Sequence, residues 1–194
     1  MSTKIVADSS SDLLALAGVP FESAPLKIIT AEKEYVDDAS LDVLGMVTDL
    51  QNYSGRSSTS CPNANDWRNA FGDADEIFCV TITSGLSGSY NSACSAKKIY
   101  EEEHEGKRVF VVDSLSAGPE ITMLVEKLDE CVGKQMTYEQ IAKATGAIIS
   151  TVATLSTKAE MMPAKRLRET AAHWTLGTLA MMMSAIRSGI RLSM

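Results

Sequence analysis

Three apolar runs punctuate the chain: Lys4-Ile5-Val6-Ala7, Glu76-Ile77-Phe78-Cys79-Val80-Thr81-Ile82 and Arg108-Val109-Phe110-Val111-Val112. Each gives way at once to a turn rich in Ser, opened by Asp after the first and third runs. A run that short and that continuously apolar suits a strand covered on both faces, where alternation is lost. The segments after the second and third runs read as helices, over 88–103 and through Leu124, Val125, Leu128 and Cys131. Strands that alternate with helices pair in parallel, because a crossover helix must carry the chain back to the start of the next strand. The fold class expected is therefore α/β: a mostly parallel sheet with helices on both faces.

Between these runs the pattern is less regular. Residues 8–12 offer N-cap side chains for a helix through Leu13, Leu14 and Leu16 that stops at Gly18. Residues 26–30 read as a second strand, with 34–36 as a hairpin arm. Ser40 is placed to cap a helix carrying Leu41, Val43, Leu44, Val47 and Leu50. Residues 53–60 show no period and read as a loop. Pro62 suits the first turn of a helix with Trp67 and Phe71, and Thr137 with Gln140 makes a capping box for another helix. Beyond residue 150 the pattern changes. Residues 151–157 read as a strand, and 161 onward is helix-compatible with no strand after it. The expected division is a first domain over 1–150 and, over 151–194, the start of an incomplete second α/β domain.

Composition removes several function classes. A net charge of −7 and a pI near 4.9 disfavour nucleic acid, whose phosphates are held by Lys and Arg. The start of the chain reaches Asp8 too soon for the apolar core of a secretory signal. The apolar stretch over 171–186 contains His173 and falls short of the roughly 20 residues a span needs. Cys61, Cys79, Cys94 and Cys131 form no C-x-x-C pair and read as reduced thiols. The expectation is a cytoplasmic protein that is not integral to a membrane. Neither G-x-G-x-x-G nor a P-loop is present, and Gly85-Leu86-Ser87-Gly88 is not a nucleophile elbow. His104 lies in an acidic helix end and His173 in an apolar tail, so neither serves as a general base or metal ligand. Cys61 has no base nearby in sequence and reads as packing. No catalytic residue, metal or cofactor is expected.

Residues 83–90, Thr-Ser-Gly-Leu-Ser-Gly-Ser-Tyr, follow the second strand and open a helix. The first amides of a helix lack intrahelical acceptors and carry partial positive charge, which favours an anion. Ser84, Ser87 and Ser89 add hydroxyl donors, and the Thr59-Ser60 loop can reach the same end of the sheet. Serine is also a common helix cap, so each residue singly is open to a structural reading. The two loops together are the stronger signal.

Several short motifs then resemble the DegV family. They are Lys4-Ile5-Val6-Ala7-Asp8-Ser9-Ser10-Ser11-Asp12-Leu13; Ala24-Pro25-Leu26-Lys27-Ile28 with Tyr35 and Asp37; Ser58-Thr59-Ser60-Cys61-Pro62; residues 84–93; and Val111-Val112-Asp113-Ser114. The resemblance implies a two-domain α/β protein holding a long-chain fatty acid between its domains. In some members it implies the binding subunit of fatty acid kinase, which presents the carboxylate to a separate kinase for acyl-phosphate formation. Carried over residue by residue, the carboxylate contacts fall on Thr59, Ser87 and Gly88, with Ser60 and Ser84 beside them. Residues 151–194 would begin the lipid-covering domain, cut short. The family's Gly-Gly-Arg-Ile-like turn is here Ala164-Lys165-Arg166-Leu167, without its glycines, and a distal histidine contact has no counterpart. The expected role is a carrier and not an enzyme, and a homo-oligomer remains open. Two alternatives stay beside it. One is a phosphoryl- or acyl-transfer enzyme gripping a phosphate with the Ser-rich loop; the other is a degenerate domain acting through protein contacts.

Overall fold

The computed structural model describes residues 1–160, with side chains described through residue 154. Its centre is a four-stranded parallel sheet in the order β2-β1-β6-β7, formed by Phe21–Ala24, Thr3–Asp8, Glu76–Thr81 and Arg108–Asp113. Ile5 stands opposite both Phe21 and Phe78, and Phe78 opposite Phe110. Side chains alternate between two cores, as the pleat requires. Ile5, Ala7, Phe78, Val80 and Val112 pack on one face against Ile121, Leu124, Val125 and Leu128 of α4 (Pro119–Gly133). Val6, Ile77, Cys79 and Val109 pack on the other against α2 (Ala64–Phe71) and α3 (Ser89–Glu103). The α/β class read from the sequence is the fold observed.

A second, antiparallel sheet is built as β4-β3-β5 from Glu34–Val36, Lys27–Ile29 and Ser58–Ser60. It springs from the carboxyl edge of the main sheet, because β2 ends at Ala24 opposite Asp8 and β3 begins three residues later. Helix α1 (Val43–Asn52) covers it through Met46, packed with Ile28 and Tyr35. Strand β5 lies where the sequence showed only an aperiodic loop. Three residues pair Ile28 with Thr59, Lys27 with Ser60 and Ile29 with Ser58, and the ladder supplies the order that composition does not.

Other expectations are corrected. After β1 the chain forms only a 3-10 turn over Ser9–Ser11, and the helix expected through Leu16 does not form. Ser10 bonds the Asp8 carboxylate and Ser9 receives the Leu26 amide, so these hydroxyls bind neighbouring segments instead of capping a helix. Asp42, not Ser40, caps α1; Ser40 instead donates to Asp38. Pro62 precedes α2, whose cap is Asn63 in a capping box with Asp66.

Helix α5 (Tyr138–Glu160) runs without a break across position 150, so residues 151–157 are helical and not a strand. The hydroxyls of Thr145, Thr151 and Thr154 each donate to the carbonyl four residues back, which lets β-branched residues settle in a helix. The Thr137–Gln140 capping box forms as expected. Tyr138 stacks on Phe78 and lies edge-on to Phe110, under the Arg108 guanidinium. Helix α5 thus starts at the amino end of the strands. Its 23 residues, about 34 Å at 1.5 Å each, carry it back toward their carboxyl edge.

Candidate functional site

The carboxyl edge of the parallel sheet is where loops can converge without crossing the core. Strand β6 ends at Thr81, and residues 82–88 lead into α3, whose N-cap is Gly88 with no side-chain cap. The Ser89 amide donates to Ser87 Oγ at 3.2 Å. The remaining first-turn amides keep the outward aim and partial positive charge of a helix start. From the small sheet, β5 delivers Thr59 and Ser60, and Cys61-Pro62 then turns into α2.

Two contacts show that these segments meet. A Cβ built on Gly88 would stand 3.4 Å from Cys61 Sγ, and Ser92 Oγ of α3 donates to the Pro62 carbonyl at 2.7 Å. Thr59, exposed on an edge strand, and the half-buried Ser87 therefore belong to chain segments joined at one edge of the fold.

The serines of this edge do not share one role. Ser84, an expected ligand contact, has its hydroxyl on Asp113 Oδ2 and its amide on Asp113 Oδ1, so it serves the turn. Asp113 also accepts from the Leu115 amide at 3.2 Å, and Thr83 donates to the Ser116 carbonyl at 2.9 Å. The loops after β6 and β7 are thereby stitched together. Ser60 Oγ donates to the Cys61 carbonyl at 3.3 Å. Ser89, fully buried, donates to Asp8 Oδ2 at 2.6 Å.

The Asp8 carboxylate was given no part at this edge from sequence, because its sequence neighbours read as caps. It is fully buried and also accepts from Ser10 Oγ and, at 2.9 Å, from the Ile82 amide. Burial pushes its pKa above the ordinary carboxylate value, against the opposing pull of those hydrogen bonds. The signal available in sequence was the repetition of Asp-Ser at the ends of two strands, Asp8-Ser9 and Asp113-Ser114.

His104 caps the far end of α3, with Nδ1 2.9 Å from the Tyr100 carbonyl and its ring stacked on Tyr100, fifteen residues from Ser89. His173, the 164–167 turn and the apolar 171–186 stretch lie outside the described residues. Among the described residues no cluster of three or more His, Cys, Asp or Glu side chains could hold a metal, and no helix is long and apolar enough to cross a membrane. Cys61, Cys79, Cys94 and Cys131 are all free thiols.

A cavity of about 10 Å³ beneath α1, lined by Leu26, Ile28, Tyr35, Leu41 and Met46, has room for a water at most. A polar groove of about 520 Å³ lies beside the Lys33–Asp49 ion pair. Neither is lined by Thr59, Ser87 or Gly88. The apolar surface at the candidate site is instead open: Leu86 is 60% exposed and Leu115 67%.

The model of the DegV family of uncharacterised proteins matches residues 2–160. The chain belongs to the DegV family. A DegV domain-containing protein of Streptococcus pneumoniae is 42% identical over 151 residues, which are 76% of this chain and 54% of that protein. The chain thus spans about half the length of the curated relatives it matches. Among solved structures, a DegV family protein from Eubacterium eligens loaded with heptadecanoic acid matches with a TM-score of 0.75 and 42% identity, over 77% of this chain and 54% of that one. The Streptococcus pneumoniae fatty acid kinase B3 protein loaded with linoleic acid matches with a TM-score of 0.73 and 42% identity, over 77% and 55%. A DegV family protein from Ruminococcus gnavus with vaccenic acid gives 0.71 and 32%, again over 77% and 55%. The three neighbours carry acyl chains that differ in length and unsaturation.

Proposed function

We propose that this protein is a cytoplasmic, non-enzymatic carrier of a long-chain fatty acid. The carboxylate lies against Thr59, Ser87 and the Gly88 amide, with Ser60 at the margin of the site and Ser84 left to the turn. The observation that carries the reading is the junction of the Cys61-Pro62 segment with the start of α3, in a chain 42% identical to two structures loaded with fatty acids. A helix start flanked by neutral hydroxyls orients an anion without an ion pair. Affinity comes from the tail: at about 0.8 kcal/mol per methylene, the ~14 of a C16 chain offer on the order of 11 kcal/mol before ordering costs. A weakly held head stays available to a partner, which fits presentation to a kinase subunit for acyl-phosphate formation.

Leu86 and Leu115 supply apolar surface on this edge, and residues 151–194 are the ones that the family resemblance makes the start of a lipid-covering domain. We assign the covering of the tail to those residues, as the start of a second domain. Extraction of the purified protein into organic solvent, followed by mass spectrometry, should release a long-chain fatty acid. Protein from a lipid-containing host that yields none, and does not take up added fatty acid, would refute the carrier reading.

A further inference from the structure

We infer that Asp8, at the carboxyl end of β1, is a positioning residue that sets the anion-binding geometry without touching the ligand; the inference rests on the fatty-acid reading above. Its carboxylate is fully buried, and its donors come from three places in the chain. Oδ2 accepts from the Ile82 amide at 2.9 Å, which fixes the exit of β6, and from Ser89 Oγ at 2.6 Å, which fixes the first residue of α3. Oδ1 accepts from Ser10 Oγ in the turn after β1.

Both arms of the site hang from this group. On the first arm, the amide of Ser89 donates to Ser87 Oγ, so two consecutive hydrogen bonds lead from Asp8 to the hydroxyl proposed to meet the carboxylate. On the second, Ser9 in the same turn as Ser10 accepts the Leu26 amide at 3.0 Å. Leu26 leads into β3, whose Ile28 is paired with Thr59. One carboxylate therefore sets the relative placement of Ser87 and Thr59. A carboxylate taken wholly out of water is costly unless its acceptor positions are filled. Donors drawn from three segments hold those segments in one arrangement.

The test uses the full chain and two probes of equal length, hexadecanoic acid and hexadecan-1-ol, titrated into the wild type, Ser89→Ala, Asp8→Asn and Asp8→Ala. Ser89→Ala breaks the first arm and leaves Asp8 two donors. It should weaken binding of the acid about tenfold, the loss of one hydrogen bond's worth of placement, and leave the alcohol unchanged. Asp8→Asn keeps the shape and one acceptor oxygen, so it should retain more of the acid preference than Asp8→Ala. A folded Ser89→Ala protein with the wild-type acid-to-alcohol ratio, or one losing both probes equally, would overturn the inference while leaving the carrier reading intact. A wild type that binds neither probe would overturn both.

Discussion

Valine at position 88 should damage ligand binding far more than folding. Gly88 has φ −74 and ψ 0, a backbone any L-residue adopts, and it is exposed, so substitution costs no core packing. What it meets is the neighbouring arm of the site. A Cβ alone would stand 3.4 Å from Cys61 Sγ, at the inner limit of ordinary contact, so alanine adds little steric cost. Valine fills two of the three staggered positions on that Cβ. The side chain must then either keep to the one rotamer that turns its hydrogen toward the sulfur or push β5 and α3 apart. Overpacking of this kind costs about 1–3 kcal/mol when the surroundings are rigid. Here the strain is relieved by opening the junction, and the loss moves to binding. Spoiling one hydrogen bond to a carboxylate costs about 1.5–3 kcal/mol, so fatty-acid affinity should fall about 10- to 150-fold.

Calorimetric titration with a fatty acid, alongside urea denaturation, separates the two effects. Because the obstructing atom is the Cys61 sulfur, Cys61→Ala in the Gly88→Val background should restore a large part of the affinity, while Cys61→Ala alone changes little. A Gly88→Val protein with wild-type affinity would refute the junction as the binding site. Failure of Cys61→Ala to rescue would refute the steric argument.

Leu115 holds φ 56 with its side chain 67% exposed, and Leu115→Gly should raise stability by up to about 1 kcal/mol by removing left-handed strain, while lowering fatty-acid affinity through lost apolar surface; a drop in the denaturation midpoint would show that Leu115 is held by packing instead. Burial raises the Asp8 pKa above 3.8, so the folded protein binds more protons than the unfolded chain between those two values. Its contribution to stability is then fully present below 3.8 and declines as pH rises through the native pKa. Wild type should therefore gain stability relative to Asp8→Asn as pH is lowered from 7 toward 4 in paired urea titrations, and a pH-independent difference would refute the buried charge. The lowered carboxylates Asp38, Asp49, Asp75, Glu130 and Glu139 act with the opposite sign but equally in both proteins.

The parallel sheet was legible because β1 and β6 are buried on both faces, and edge strand β7 is buried at Val109 on one face and Val112 on the other, and that burial writes continuous apolar runs into the chain. Strands without that burial left weaker marks. β2 is Phe-Glu-Ser-Ala at the edge of the sheet, and β5 is Ser-Thr-Ser, whose pairing with β3 depends on a register no local pattern records. The error over 151–157 has a different source. Thr and Val there score as strand formers, yet packing of α5 on α4 through Ile148 and Ile149 and the backward hydrogen bonds of Thr151 and Thr154 outweigh that preference.

Which serines of the candidate site are free to meet a ligand was not legible, for a chemical reason. A serine that caps, one that ties two loops and one that meets a ligand all offer the same hydroxyl, and sequence cannot show which is already engaged. The structure sorts them by partner. Ser10 and Ser89 serve Asp8, Ser84 serves Asp113, Ser9 receives Leu26 and Ser92 holds Pro62. Ser87 accepts from the Ser89 amide, a bond that uses a lone pair and leaves its own proton to donate. The carboxylate proposed to sit here would accept that proton. Most serines at this edge are engaged with other segments, and in the proposed reading Ser87 and the uncapped start of α3 are what is left to meet a head group beside Thr59.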